Sequence, residues 1–278
     1  MSGVGTVSLV HGHRIPRIGL GTWPYTGTDC ARRVERGLEL GYRMFDTAEQ
    51  YGNEDAVGAG LRASGIPRSE VFLTSKFNKE HHSIDGVFRA YDASLAALDV
   101  DYLDLFLIHW PNPWQGRYVE AWKGLVKLWE EGRVPAIGVS NFSTHHLERI
   151  IDATGVVPDV DQIQLSTDIA RVEQRAYHRS HGIVTEAWSP LGRGGPLLTQ
   201  SLVMSIADHH GVSPAQVLLR WHIDEGIVPI PRADDDVQLS ENIDVFDFAL
   251  TGEELTALRT LDRGEQAARD PDDPRNGH

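Results

Sequence analysis

The sequence is poor in cysteine, in long apolar runs and in positive charge. Cys30 is the single cysteine, so no disulfide can form within the chain and nothing indicates an oxidising compartment. No stretch approaches the roughly 18 apolar residues of a membrane span, and the start of the chain lacks the basic and apolar regions of a signal peptide. Because 40 acidic residues outnumber 26 basic ones, the net charge of −14 disfavours a nucleic-acid partner. We therefore expect a cytoplasmic, monomeric protein with no membrane or nucleic-acid partner.

Eight β-rich runs alternate with helical patterns along the 278 residues. Most of the runs are continuously apolar, which is typical of strands buried on both faces of a parallel sheet. This order predicts an α/β protein: one (β/α)8 TIM-barrel domain over residues 1–278. A doubly wound Rossmann sheet is disfavoured, since no GxGxxG follows the first run. The predicted strands are Arg17–Thr22, Met44–Ala48, Val71–Phe77, Asp104–Trp110, Val134–Asn141, Val160–Ser166, Ile183–Ser189 and Ile227–Arg232.

Three further features surround the predicted barrel. Residues 6–16 carry a Gly-His turn between short apolar runs, which predicts an N-terminal hairpin at the bottom of the barrel. Two helical patterns, 201–211 and 214–224, predict one extra helix before the last strand. From Gly264 onwards the chain is polar and rich in helix breakers, which predicts a short C-terminal tail and an open pocket.

Active sites of such barrels lie at the carboxyl ends of the strands, where this sequence places Asp46, Tyr51, Lys76 and His109. Taken singly, Asp46 could cap a helix, Tyr51 could be a surface aromatic and His109 a core histidine. Lys76 is harder to explain, because an unpaired ammonium inside a buried strand costs several kcal/mol. We expect Asp46, on the neighbouring strand, to be its partner.

These four side chains together have a chemical interpretation. The pKa of an isolated tyrosine is about 10, and an adjacent lysine ammonium is expected to lower it by favouring the phenolate. Asp46 would keep Lys76 charged, and His109 would orient a substrate oxygen. Such a group protonates an oxygen while a second agent attacks the carbon, which is carbonyl reduction if a hydride donor is bound.

Five motifs in this chain, GYRMFDTAEQYGNE, TSKF, LIHWP, IGVSNF and AWSPLG, match those of the aldo-keto reductases in order and spacing. The sequence is most similar to the short bacterial members of the 2,5-diketo-D-gluconate reductase type. The resemblance implies NAD(P)H-dependent reduction of small-molecule aldehydes and ketones, with Tyr51 as general acid/base. A nicotinamide-binding, redox-sensing barrel with little turnover is the alternative.

The resemblance also implies a set of binding residues. For the cofactor, NADPH or NADH, these are Thr22, Asp46, Ser140, Asn141, Gln162, Trp188, Ser189, Leu191, Gly192, Arg232, Gln238, Glu241 and Asn242. For the substrate they are Trp23, Tyr51, Phe77, His109 and Trp110. No metal site is expected, because the adjacent histidines at 81–82, 145–146 and 209–210 lack the i, i+4 spacing of a helical metal clamp.

The sequence departs from the family after the eighth strand. Aldo-keto reductases usually carry Lys-Ser there and an arginine six residues after the lysine, which grip the 2′-phosphate of NADPH. This chain has Arg232, Ala233 and Gln238 at those positions, with three aspartates between. Two contacts of roughly 1.5–3 kcal/mol each are therefore lost. We expect a weakened preference for NADPH and use of NADH.

Overall fold

The computed structural model describes residues 4–276. Its first two strands, β1 (Thr6–Ser8) and β2 (Arg14–Pro16), pair antiparallel with Val7 opposite Ile15. Eight parallel strands follow within the described residues, each hydrogen-bonded to the next in chain order. They are β3 (Leu20–Gly21), β4 (Met44–Asp46), β5 (Phe72–Phe77), β6 (Leu105–Ile108), β7 (Ala136–Ser140), β8 (Val160–Gln164), β9 (Val184–Trp188) and β10 (Val228–Ile230).

Backbone hydrogen bonds bring the first and last of these strands together. Gly19 N donates to Pro229 O at 3.1 Å and Gly21 N donates to Pro231 O at 2.9 Å. The ladder is short here because prolines 229 and 231 have no N–H to donate. The result is a nearly closed (β/α)8 barrel, as the sequence predicts, with β10 shorter than the predicted run.

Helices cover the outside of the barrel. They are α1 (Gly27–Leu40), α2 (Glu54–Ala63), α3 (Ile84–Leu98), α4 (Tyr118–Glu130), α5 (Thr144–Thr154), α6 (Val172–His181), α7 (Ser201–His210), α8 (Pro214–Asp224), α9 (Asp236–Ile243) and α10 (Gly252–Leu258). The predicted extra helix before the last strand is confirmed as α7, and α8 begins at the predicted cap, where Ser213 accepts from Gln216 N. In the described part of the chain, no helix is long and apolar enough to cross a membrane.

The lower interior of the barrel is apolar. Met44, Leu105, Leu107 and Val160 pack there in one buried cluster. Leu9 and Ile15 from the N-terminal hairpin belong to the same cluster, and both are buried. The hairpin therefore covers the bottom of the barrel, as predicted, which leaves the carboxyl ends of the strands as the open face.

The segment 264–276, called the C-terminal tail below, folds back over that open face. It holds only a short 3-10 turn, Glu265–Ala267. Arg269 N donates to Gln164 Oε1 at 2.8 Å, and Asn112 Nδ2 donates to Asn276 O at 3.1 Å. The tail is therefore attached to β8 and to the loop after β6, and it forms part of the wall of the pocket. The sequence predicted instead that the tail would leave this pocket open.

Candidate active site

A cleft of about 900 Å³ opens at the carboxyl ends of the strands. Its size is at the upper end of the range for small-molecule and cofactor sites. Fifteen of the residues predicted from the sequence line it: Thr22, Trp23, Asp46, Tyr51, His109, Trp110, Ser140, Asn141, Gln162, Trp188, Ser189, Leu191, Arg232, Gln238 and Asn242. The tail adds Arg269, Arg275 and Asn276, which the sequence did not identify.

Lys76 and Asp46 form a buried ion pair beneath this cleft. Lys76 Nζ lies 2.6 Å from Asp46 Oδ1 and donates to Thr47 O at 2.9 Å. The two side chains are 0% and 5% exposed. Burial is the largest single influence and would lower the pKa of Lys76, but the charge and hydrogen bond of Asp46, together with Tyr51 and Glu186, outweigh it, so that the pKa of the ammonium is raised. The predicted partnership is confirmed, and Lys76 stays charged.

Tyr51 lies at the end of the 3-10 turn Glu49–Tyr51, directly above this pair. Lys76 Nζ is 5.2 Å from the centre of its ring. Burial raises the pKa of the Tyr51 hydroxyl, and the charge of Lys76 opposes that shift without reversing it. The expectation of a lowered pKa is therefore wrong in net direction, because removal of the phenolate from water outweighs the attraction of the ammonium. Tyr51 consequently holds its proton firmly.

His109 follows β6 and packs edge-on against Tyr51, with ring centres 5.8 Å apart. Burial, assisted by the charge of Lys76, lowers the pKa of His109 well below its ordinary value. The imidazole is therefore neutral, and it can donate a hydrogen bond but has no readily released proton. Of the two groups at this end of the cleft, Tyr51 is the better proton donor.

Gln162 and Glu186 complete the floor of the site. Gln162 Nε2 donates to Asp46 Oδ2 at 2.8 Å and to Glu186 Oε2 at 2.9 Å. Glu186, in the middle of β9, is fully buried, and burial together with the charge of Asp46 raises its pKa to about 8. Sequence reasoning missed Glu186, although a lone acid in the apolar run IVTEAWS carries the same signal that identified Lys76.

The stability of the protein should depend on the pH through Glu186. Between about pH 4.5 and pH 8 the folded protein keeps this proton while the unfolded chain loses it, so the free energy of unfolding falls as the pH rises. Glu186→Gln removes this pH dependence of the free energy of unfolding. The stability of the variant relative to the wild type should therefore increase from pH 5 to pH 8. Urea unfolding at the two pH values measures this, with exposed Glu130→Gln as control. If the free energies of unfolding of Glu186→Gln and the wild type differed by the same amount at both pH values, the raised pKa of Glu186 would be refuted.

A second group of polar side chains lies on the opposite wall. Trp188 Nε1 donates to Asn141 Oδ1 at 2.8 Å, and Asn141 Nδ2 donates to His109 O at 3.0 Å. Ser140 Oγ donates to Gln162 O at 2.8 Å. Asn141 has φ of 61°, a left-handed conformation that asparagine tolerates better than most residues. These contacts fix an indole face and several amide groups at the edge of the cleft, a surface suited to a planar, amide-bearing ring.

The outer end of the cleft is rich in arginine. The pKa of Arg193 is lowered by burial and by the positive charges of Arg269 and Arg232 nearby. Arg193 Nε also donates to Ser189 Oγ at 3.3 Å. A carboxylate approaches Arg232, since Asp234 Oδ1 lies 3.6 Å from its Nε. In a protein of net charge −14, this concentration of positive charge indicates a site for an anionic group.

Four predicted residues do not line the cleft. The prediction that Phe77 contacts the substrate is corrected. Its side chain is fully buried and packs against Phe106, with ring centres 5.1 Å apart. It alternates with Lys76 along β5, so that one side chain faces the barrel interior and the other faces the helices. Lys76 lies beneath the floor, and neither Gly192 nor Glu241 belongs to the lining. Of the predicted substrate aromatics, Trp110 is buried and Trp23 is 54% exposed at the mouth.

Residues 17–263 match the model of the Aldo/keto reductase family. An aldo-keto reductase of Mycolicibacterium smegmatis is 43% identical over 265 residues, which cover 95% of this chain and 96% of that protein. Methylglyoxal reductase DkgA of Escherichia coli is 40% identical, with 98% of each chain covered.

Solved structures agree with these matches. A Gox0644 mutant in complex with NADPH is 43% identical, covers 100% of both chains and has a TM-score of 0.93. The Bombyx mori aldo-keto reductase in complex with NADP is 32% identical, covers 94% of both chains and has a TM-score of 0.87. The similarity therefore extends over the whole barrel, cleft included.

Proposed function

The chain belongs to the aldo/keto reductase family, and from this premise we propose that Tyr51 is the proton donor in its reaction. The protein is an oxidoreductase that reduces small-molecule carbonyl compounds with NAD(P)H. The observation that carries the proposal is that Tyr51 and His109 meet at one end of the cleft, over the buried ion pair of Asp46 and Lys76. Tyr51→Phe, assayed with an aldehyde, tests it.

The chain offers suitable groups for each part of the cofactor. Asn141, Ser140 and Gln162 present amide and hydroxyl groups beside Trp188, so they would hold the carboxamide and the face of the nicotinamide. Arg193 and the Ser189–Leu191 segment would hold the phosphates, and Asn242, whose Nδ2 donates to Arg232 O at 3.2 Å, would lie at the adenosine end. When bound, the reduced nicotinamide supplies a hydride to the carbonyl carbon.

The side chains of the protein act on the carbonyl oxygen of the substrate, which they orient and protonate. His109 is neutral and would donate a hydrogen bond that orients this oxygen beside Tyr51. Because burial raises its pKa, the Tyr51 hydroxyl is protonated at neutral pH, and the charge of Lys76, which opposes that rise, favours transfer of the proton to the carbonyl oxygen. As the proton leaves, the developing phenolate is stabilised by Lys76, which Asp46 and Thr47 O hold in place.

Small aldehydes are the proposed substrate class. Relatives 40–41% identical over 276 residues are named methylglyoxal reductases. Trp23 and Trp110 offer apolar contacts beside Tyr51, and polar tail residues complete the mouth. We expect methylglyoxal to have a kcat/KM at least about tenfold above that of acetone, because the aldehyde carbon is less hindered. Steady-state assays with the two compounds measure this ratio, and a preference for the simple ketone would contradict the proposal.

We also propose that NADH is used at least as well as NADPH. Gln238 occupies the usual arginine position, but its Oε1 accepts from Asp234 N at 2.9 Å, and its backbone N–H donates to Asp235 Oδ1 at 2.8 Å. The residue is therefore part of the N-terminal cap of α9. Solvent screens Asp234 and Asp236, but both still disfavour a dianionic phosphate nearby.

Fluorescence titration of the wild type with each cofactor tests this proposal. Restoring the two lost contacts with Ala233→Ser/Gln238→Arg should shift the ratio of dissociation constants towards NADPH by at least about tenfold, since each contact is worth roughly 1.5–3 kcal/mol. Val237→Arg, at an exposed neighbouring position, is the matched control for added charge. If the wild type bound NADPH tenfold tighter than NADH, the proposal would be wrong.

A further inference from the structure

The carboxyl group of Glu186 lies beneath the cleft but takes no part in the proton transfer described above. Glu186 stands in the middle of β9, opposite Gln162 of β8, and its side chain reaches into the barrel interior. It is fully buried. Acids are almost never fully buried unless they are paired, because removal of the ionised form from water is costly. The contacts of this carboxyl group therefore require a physical explanation.

Gln162 joins Glu186 to Asp46. Gln162 Nε2 donates a hydrogen bond to each carboxyl group, at 2.9 Å to Glu186 Oε2 and at 2.8 Å to Asp46 Oδ2. An amide nitrogen carries two N–H groups, so these two contacts use both of them. Because Asp46 Oδ1 is bound to Lys76 Nζ at 2.6 Å, a continuous chain of contacts runs from Glu186 to the ammonium beneath Tyr51.

These four linked side chains include two carboxyl groups but one cation. Lys76 pairs with Asp46, and in the described part of the chain Glu186 forms no ion pair of its own. Glu186 Oε1 is buried and has no hydrogen-bond partner among residues 4–276. An anion would leave a charged oxygen unpaired here, whereas the neutral acid leaves an uncharged group. The packing therefore favours protonated Glu186, in agreement with a pKa that burial and the charge of Asp46 raise to about 8.

The charged groups that face Glu186 come from the neighbouring strands. Asp46 belongs to β4 and Lys76 to β5, whereas β10, with the sequence VPI, has no ionisable side chain. Despite burial, the contacts of Lys76 keep the pKa of its ammonium above the ordinary value. Burial raises the pKa of Tyr51 and lowers that of His109. Between pH 7 and pH 9.5, the change of charge at this end of the cleft is therefore that of Glu186.

The charge of Glu186 matters at the moment when Tyr51 gives up its proton. A phenolate then forms near Lys76, whose positive charge is already shared with Asp46. A second carboxylate in this low-dielectric interior would oppose the new negative charge and make Tyr51 a weaker acid. A weaker general acid transfers its proton to the carbonyl oxygen more slowly.

Given the proton-donor role proposed for Tyr51, on which this inference rests, we propose that Glu186 is a positioning residue of the reduction. As a neutral acid it adds no second negative charge beside Asp46, so that Lys76 can stabilise the phenolate. Glu186 is outside the lining of the cleft, so it acts through Gln162, Asp46 and Lys76. Ionisation of Glu186 slows the proton transfer while these contacts remain in place.

The test is the single-turnover rate of aldehyde reduction at pH 7 and pH 9.5, with saturating cofactor. The wild type should be at least about fivefold slower at pH 9.5, because Glu186 becomes ionised between the two values. Glu186→Gln keeps a neutral hydrogen-bonding side chain of similar size, so its two rates should differ by less than about twofold. Glu130→Gln, at an exposed position, is the control and should keep the wild-type ratio of rates.

Infrared difference spectroscopy of the cofactor-free protein provides a readout that does not depend on activity. Raising the pH from 7 to 9.5 should remove a C=O stretching band of a protonated carboxyl group from the wild type and from Glu130→Gln. This component should be missing from the difference spectrum of Glu186→Gln, because an amide does not titrate in this range.

Tyr51→Phe in the same assay separates the two proposals. If Tyr51→Phe reduced the aldehyde as fast as the wild type, the role of Tyr51 and the inference about Glu186 would both be wrong. If Tyr51→Phe is slow, the inference about Glu186 alone is overturned by any of three results. These are equal wild-type rates at the two pH values, a wild-type ratio of rates in Glu186→Gln, or an infrared difference spectrum that Glu186→Gln leaves unchanged.

Discussion

Replacing Tyr51 with phenylalanine is expected to lower kcat for carbonyl reduction by about 10²–10⁴-fold, the range typical for loss of a general acid. The substitution removes one hydroxyl from a half-buried ring and leaves Lys76, Asp46 and His109 in place. His109 cannot replace the missing donor, because its lowered pKa leaves it without an acidic proton at neutral pH. Steady-state reduction of an aldehyde, at saturating cofactor, measures the loss.

Cofactor binding should survive this substitution. The Trp188–Asn141 contacts and the arginines at the outer end of the cleft do not involve the Tyr51 hydroxyl. Fluorescence titration should therefore give a dissociation constant within about twofold of the wild type. Tyr102→Phe is the matched control, since the Tyr102 hydroxyl makes a long 3.4 Å contact with Arg68 O and lies outside the cleft. Unchanged turnover by Tyr51→Phe would rule out the proposed role.

Lys76→Met is expected to destabilise the fold by about 3–5 kcal/mol, because it leaves one member of a buried ion pair without its partner, and to lower the rate of reduction strongly. Asp46 is buried and keeps its hydrogen bond from Gln162, but neither Gln162 nor the neighbouring Glu186 supplies a positive charge to replace the lost ammonium. The free energy of unfolding from urea titration at pH 7 measures the effect.

Two variants separate the ion pair from general effects of losing a lysine. Lys123→Met breaks an exposed pair with Glu120, for which we expect less than about 1 kcal/mol. Lys76→Met/Asp46→Leu removes both buried charges and should recover part of the lost stability but none of the activity. A Lys76→Met protein as stable as the wild type would show that the charge at Asp46 does not need Lys76.

Features governed by local pattern were predictable from the sequence. The partner of Lys76 could be inferred because a buried ammonium requires a carboxylate and Asp46 ends the adjacent strand. The hairpin and the extra helix follow from turn and cap residues. Phe77 was assigned to the substrate pocket from the resemblance alone, yet side chains alternate along a strand, so the alternation with Lys76 could have excluded it.

Features that depend on distant segments were not predictable. The tail is polar and lacks periodicity, so nothing in its residues shows that Arg269 reaches the cleft or that Asp272 meets His146. The direction of the Tyr51 pKa shift also required the structure, because burial and the charge of Lys76 act in opposite directions. The extent to which Tyr51 is buried determines which of these two effects on its pKa is larger.

The central claim is that Lys76 acts on the reaction through Tyr51. The most direct test is the single-turnover rate of reduction by Tyr51→Phe, Lys76→Met and the double variant, each saturated with cofactor. If Lys76 serves to stabilise the Tyr51 phenolate, its loss has no further effect once that hydroxyl is gone. We therefore predict that Tyr51→Phe/Lys76→Met reacts no more slowly than the slower single variant. A double variant whose loss equals the product of the two single losses would contradict the account.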